Sequence, residues 1–166
     1  MGDFMKRLIW AALFTFFALW AVATVSPAYA QSDGVVLTNE TLLKTLSDMG
    51  LETRGLSKGY LVTVHQDSWT LYVQFVLSDD TTKLGMNANL GEVNEAAVTA
   101  DQWKTVLATN NDIDPSSFNY DPKQKKLYMH RVMDNRGLTP AILRGQLDYF
   151  LKNIRETDNV WSPVTK

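Results

Sequence analysis

The chain has 166 residues, with 16 Lys or Arg against 18 Asp or Glu and a formal net charge of −2, so it lacks the basic excess that nucleic-acid binding requires. It contains no cysteine, which excludes disulfides, thiol nucleophiles and every cysteine-containing metal site. Hydrophobic residues make up 45% of it, enough for one core of ordinary domain size to hold without staples.

In chain order, Lys6 and Arg7 precede an uncharged run from Leu8 to Val25, and Ser26-Pro27 breaks it before Ala28-Tyr29-Ala30. A positive start, an apolar middle and a small-x-small end are the three parts of a secretory signal peptide. Residues 1–30 are therefore expected to be removed after Ala30, leaving residues 31–166 as a single domain that is periplasmic or secreted. The apolar run is longer than an ordinary signal core and nearly long enough to span a bilayer. If retained, it would act as an N-terminal anchor, the one route by which this chain would meet a membrane.

Thr38 offers a hydroxyl cap to a helix carrying Leu42, Leu43, Leu46 and Met49, which Gly50 stops. Tyr60 to His65 is rich in β-branched and aromatic residues, and Gln66-Asp67-Ser68 turns the chain. Trp69, Leu71, Val73, Phe75 and Leu77 then alternate with Thr70, Tyr72, Gln74, Val76 and Ser78, as a half-buried strand requires. A third strand runs from Lys83 to Leu90, with Leu84, Met86, Ala88 and Leu90 on one face and Lys83, Asn87 and Asn89 on the other. Thr99 and Gln102 form a capping box for a second helix with Trp103, Val106 and Leu107. Strands follow at Ser117 to Asp121 and Lys125 to Asp134. Thr139 with Pro140 launches the longest helix, striped by Ile142, Leu143, Leu147, Phe150, Leu151 and Ile154. The order is α-β-β-β-α-β-β-α, an α+β domain with a five-stranded antiparallel sheet and three helices.

Candidate chemistry is sparse. His65 and His130 stand in strands with no second ligand at i+2 or i+4, whereas zinc or copper needs three or four converging groups. Asn110-x-Asp112-x-Asp114 copies the first half of a calcium loop, but Pro115 stands where the loop needs Gly. Asp79-Asp80 reads as a solvated turn, no serine lies in G-x-S-x-G, and no glycine fingerprint for phosphates occurs. No catalytic residue, metal or cofactor is expected.

Trp69, Phe75, Trp103, Phe118 and Phe150 fall on the apolar sides of their elements and are expected in the core. Tyr72 and Val76 lie on the opposite face of the central strand, where a one-faced sheet would show polar residues. Tyr128 and Val132 share a face of the last strand and extend the same patch if that strand joins the sheet. These four residues are the candidate binding surface. The alternative is that the last helix, or the tail ending at Trp161, covers this face and makes it core.

Two stretches, Leu42 to Val64 and Trp103 to Trp161, resemble the YbjN-like proteins and the class I type III secretion chaperones. They carry Leu42-Leu43, Gly59-Tyr60-Leu61-Val62, Asp112-Ile113-Asp114-Pro115 before Phe118, Leu127-Tyr128-Met129 and Leu138-Thr139-Pro140. The resemblance implies a non-enzymatic protein with a twisted antiparallel sheet packed by helices, often dimeric, that binds polypeptide. Secretion chaperones act in the cytoplasm, whereas this chain carries an export leader. The expected function is a chaperone-like protein- or peptide-binding module of the cell envelope, its partner another protein, a peptide or a second copy. The alternative is a small periplasmic enzyme or small-ligand carrier whose site is assembled from distant residues.

Expressed with its N-terminus intact in a Gram-negative host, the protein is expected outside the cytoplasm with an intact mass that begins at Gln31. A species that retains Met1 and sediments with membranes would replace the cleaved leader with an anchor.

Overall fold

The computed structural model describes residues 36–66 and 68–165, so the leader expected at residues 1–30 lies outside the described residues. The first helix, α1 (Asn39–Asp48), is capped reciprocally: Thr41 N–H donates to Thr38 Oγ1 at 3.2 Å and Thr38 N–H donates to Thr41 Oγ1 at 2.7 Å. Threonine thus does at N3 what Glu or Gln does in the usual capping box. Leu42 and Leu46 are fully buried, while Leu43 faces outward.

Four strands follow, β1 (Glu52–Gly55), β2 (Tyr60–Gln66), β3 (Trp69–Leu77) and β4 (Lys83–Glu92), then α2 (Ala100–Thr109), β5 (Ser116–Asp121) and β6 (Lys126–Asp134). The chain ends in α3 (Pro140–Glu156), the short α4 (Asp158–Trp161) and a 3-10 turn at Ser162–Val164. The class is α+β with an antiparallel sheet, but the sheet has six strands in the order β1-β2-β3-β4-β6-β5, not five. Among the described residues there are four helices, not three.

The additional strand, β1, reads Glu-Thr-Arg-Gly and has no hydrophobic alternation to announce it. It forms because the turn after it is fixed. Leu56 N–H donates to Gly59 O at 3.0 Å, and Gly59 adopts φ +75° with its α-carbon against β3. A β-carbon there would lie 1.9 Å from the backbone oxygen of Phe75, so this position requires glycine on two counts.

Alternation along the strands places one set of side chains on the covered side of the sheet. Val62, Leu71, Val73, Phe75, Leu84, Met86, Ala88, Leu127 and Met129 are all buried there. The helices meet this side. Tyr60 of β2 donates its hydroxyl to Asn39 O in α1 at 3.0 Å, Trp103 of α2 packs on Tyr120 of β5 with centroids 5.2 Å apart, and Arg131 of β6 reaches Gln146 and Tyr149 of α3. The tail closes the same side, with Trp161 edge-on to Trp69 at 6.0 Å and its indole N–H donating to Ile154 O at 2.8 Å. Neither the last helix nor the tail therefore covers Tyr72 and Val76. Of the residues expected in the core, Phe75, Phe118 and Phe150 are buried and Trp69 and Trp103 are half-buried at its margin. Leu107 and Ile142 point to solvent, which makes the apolar stripes of α2 and α3 narrower than their spacing indicated.

Buried polar groups fix the joints. Asn135, fully buried, donates to Leu37 O at 2.8 Å and to Thr81 O at 2.7 Å and accepts from Leu37 N–H at 3.2 Å. One amide thereby ties the lead into α1, the β3–β4 turn and the end of β6. Among the described residues no helix is long and apolar enough to cross a membrane.

Gly59→Ala is expected to destabilise the protein by about 2 kcal/mol or more, through both the left-handed backbone and the clash with Phe75. Gly145→Ala, in α3 with nothing within 4 Å of the added carbon, should instead stabilise by up to about 1 kcal/mol. Chemical denaturation midpoints check both, and equal effects would contradict this account of the β1–β2 turn.

Candidate binding face

The side of the sheet away from the helices is built in transverse rows. In the first, Val76 of β3 pairs with Gly85 of β4, and Gly85 pairs with Val132 of β6. The second runs Leu61, Gln74, Asn87, His130 and Ser117 across β2, β3, β4, β6 and β5. In the third, Thr63 pairs with Tyr72 on one half of the sheet, and Asn89, Tyr128 and Asn119 continue on the other. All four residues singled out from the sequence lie on this face because β4 pairs with β6. Tyr72 is 55% exposed and Val132 44%, while Val76 and Tyr128 are half-buried. They do not form one continuous apolar patch, since Gly85, Asn87 and Asn89 stand between the two pairs.

From β2 to β5 these three rows carry no Asp, Glu, Lys or Arg, and on β1 Arg54 continues the second row and Glu52 the third. Charge is confined to the perimeter. Lys83 bonds Asp134 at one end, Lys126 lies in register between Glu92 and Asp121 at the other, and Glu52 and Arg54 lie on the edge strand β1. Depletion of charge at the centre with tyrosine and amide side chains enriched is the composition of protein-recognition surfaces.

Both histidines belong to this face. His65 Nδ1 lies 3.1 Å from Thr70 Oγ1 and its Nε2 is 3.9 Å from Glu52. His130 Nδ1 meets Asn87 Oδ1, and burial lowers its pKa from the ordinary value. They stand on β2 and β6, which are not neighbours, so the sheet does not bring them together. Among the described residues no group of three His, Asp or Glu side chains is placed to hold a metal ion.

The other polar motifs have local structural roles. Asp80 accepts from Ser78 Oγ at 2.6 Å, Thr82 N–H at 3.0 Å and Thr82 Oγ1 at 2.9 Å, which brings its pKa to about 2 and locks the β3–β4 turn. Asn110, the first residue of the half calcium loop, caps the end of α2 and holds the edge strand β5. Its Oδ1 accepts from Phe118 N–H at 2.7 Å and its amide donates to Phe118 O at 3.4 Å. A side chain that occupies both backbone groups of an edge residue blunts that edge against further strands.

On the covered side, Arg131 is 6% exposed, stacks over Tyr149 at 5.0 Å and donates to Gln146. Its Nε and Nη1 find no partner among the described residues. Burial lowers its pKa, and the Tyr149 and Asp114 side chains oppose that shift. Surface depressions are open and shallow in chemistry. One of ≈ 390 Å³ is lined by Val36, Asp80, Lys83, Asp134 and Arg136, and another of ≈ 330 Å³ by Glu52, Arg54, Leu61, His65 and Tyr72 on the bare face.

Sequence reasoning did not identify Gly85, Asn87, Gln74 and His130 as the centre of the face. The alternation of β4 already aimed Asn87 and Asn89 outward, but only strand order places them between the two Tyr and Val pairs.

No family model matches this sequence, and no curated protein matches it. Solved structures do. A chain of the ExsC–ExsE complex superposes with a TM-score of 0.53 at 16% identity, over 74% of this chain and 91% of that one. YbjN from E. coli superposes with a TM-score of 0.51 at 16% identity, over 73% of this chain and 88% of that one. The described domain therefore has a YbjN-like, type III secretion chaperone-like fold.

Proposed function

We propose that this protein is a non-enzymatic, chaperone-like binding module whose contact surface is the bare face of the sheet, with Tyr72, Val76, Tyr128 and Val132 as its apolar contacts. One observation carries the reading: every described helix packs on the other side, leaving a six-stranded face with an uncharged centre and exposed tyrosine. Tyr72 and Val132, 55% and 44% exposed, give a partner aromatic and aliphatic surface to cover there. The fold it shares with a chain of the ExsC–ExsE complex, itself an assembly of two proteins, supports a protein partner. Export belongs to this proposal: the positive start, apolar run and Ala28-Tyr29-Ala30 of residues 1–30 support a site of action in the periplasm or outside the cell, where a cysteine-free domain folds without regard to redox state.

Tyrosine contributes here through both properties of its ring. It offers large area with few rotamers to freeze, and a hydroxyl that can donate to or accept from a partner when water leaves. The amides of Gln74, Asn87 and Asn89 can donate or accept, so they suit backbone groups of a partner in either orientation.

Tyr72→Ser with Val76→Thr tests the reading. Two associations are measured: self-association by light scattering, and titration with a permanently unfolded polypeptide such as reduced, carboxymethylated lactalbumin. The double variant is expected to lose about tenfold or more in whichever association the parent shows, while the melting temperature of dilute protein moves by less than about 2 °C. A fall of many degrees with association unchanged would show the face to be internal, and a parent that shows neither association would remove the proposal.

A further inference from the structure

Resting on the binding-face reading, we infer that His130 is a proton switch at the centre of that face, which takes its partner while the imidazole is neutral and releases it once the ring is charged. Position comes first. From β2 to β5 the ionisable side chains of the three rows are His130 and two tyrosines, and of these only an imidazole ordinarily changes charge between pH 5 and 8. His130 stands midway along β6, between Tyr128 and Val132 on the same side, and in register with Asn87 on β4 and Ser117 on β5.

The ring lies along β4. Its Nδ1 meets Asn87 Oδ1, and its Cε1 is 3.7 Å from where a β-carbon on Gly85 would stand. The φ of Gly85 is not in the left-handed region, so its backbone does not demand glycine, and a strand-interior glycine of that kind often marks the close approach of another group. Here that group is the imidazole, and a longer side chain at position 85 would have to share the space with it. An amide oxygen only accepts, so the neutral ring carries its proton on Nδ1, and Nε2 is the atom that a second proton would take.

What that second proton would meet decides the sign. Gly85 and Asn87 on β4 and Ser117 on β5, the residues beside the ring, carry no charge. In its own row the one charge is Arg54, also positive and four strand spacings of about 4.8 Å away. The acids stand at the perimeter with cations beside them: Asp134, four residues along β6, bonds Lys83, and Glu92 and Asp121 flank Lys126, four residues the other way. On the covered side the next residue, Arg131, is itself a buried cation. Burial already lowers the His130 pKa from the ordinary value. A partner lying over Gln74, Asn87 and His130 takes away the remaining water, and an imidazolium there would be desolvated with no carboxylate of this chain to pair it. Binding therefore favours the neutral ring and lowers its pKa further. Affinity is full above the pKa of the free protein and falls as pH drops below it, by up to about tenfold per pH unit. His65 is placed differently, with Glu52 3.9 Å from its Nε2 to receive a charge.

The association that the parent shows, with itself or with reduced, carboxymethylated lactalbumin, is measured from about pH 7.5 down to about pH 5.5 for the protein expressed from the full-length chain, with His130→Gln and His65→Gln beside it. Comparison at each pH cancels the titration of the probe. Relative to His130→Gln, the parent is expected to weaken by at least about fivefold over that range, and His65→Gln should follow the parent. NMR of the imidazole Cε1 proton in the parent gives a second readout, which decides the matter if the glutamine variant fails to fold: the His130 pKa should lie below the ordinary value in the free protein and lower still with the partner bound. A His130 pKa that binding leaves unchanged or raises, or a His130→Gln protein with the pH profile of the parent, overturns the inference while the binding face stands. A parent that shows neither association removes both.

Discussion

Burial on one side only is the constraint from which the rest of this structure follows. The strands alternate so that Val62, Val73, Phe75, Leu84, Met86, Leu127 and Met129 face one way, and the described helices bring Leu42, Leu46, Val106, Leu143, Leu147, Phe150 and Ile154 to meet them. Removing this area from water supplies most of what holds the domain together, and it commits the described helices to the same side. Among the described residues the other side of the sheet has no helix over it. What the sequence places there is no longer decided by the core.

Polar groups divide between the two sides by what each side can tolerate. On the covered side they are few and fixed, as with Asn135 between three chain segments, and Asn153 between Ile113 O and Ser116 Oγ. Arg131 is the exception, a buried cation held by an amide and an aromatic face with two nitrogens unpartnered among the described residues. Burying such a charge without a carboxylate is costly, so it adds nothing to stability that an apolar side chain could not match. At the centre of the bare side the polar groups are the amides of Gln74, Asn87 and Asn89 and the His130 ring, set between two tyrosines and two valines. Among the described residues no group of three His, Asp or Glu side chains is placed to hold a metal ion.

Much of this was legible in the amino-acid order, and the reasons are physical. Trp69 to Leu77 alternates so regularly that both its strand and its inward face follow from period two alone, and Thr38, Thr99 and Thr139 mark three helix starts by their capping chemistry. The strand β1 was not legible, because an edge strand with one half-buried residue has no hydrophobic pattern and depends on a glycine-fixed turn. Leu107 and Ile142 misled for the opposite reason: helical spacing shows which residues could face a core, while the width actually covered depends on the neighbour. The candidate face was half legible. Tyr72 with Val76 and Tyr128 with Val132 declare themselves strand by strand, but Gly85 gains meaning only when β4 is seen to lie between β3 and β6.

The central claim is that this face is a contact surface, and hydroxyl-radical footprinting read residue by residue tests it most directly. With rising protein concentration, or on adding unfolded polypeptide, Tyr72 and Tyr128 are predicted to become protected while Leu107 and Ile142, exposed on the helical side, are modified at an unchanged rate. Equal modification of Tyr72 and Tyr128 under every condition, or protection that falls on Leu107 and Ile142 instead, would contradict the account.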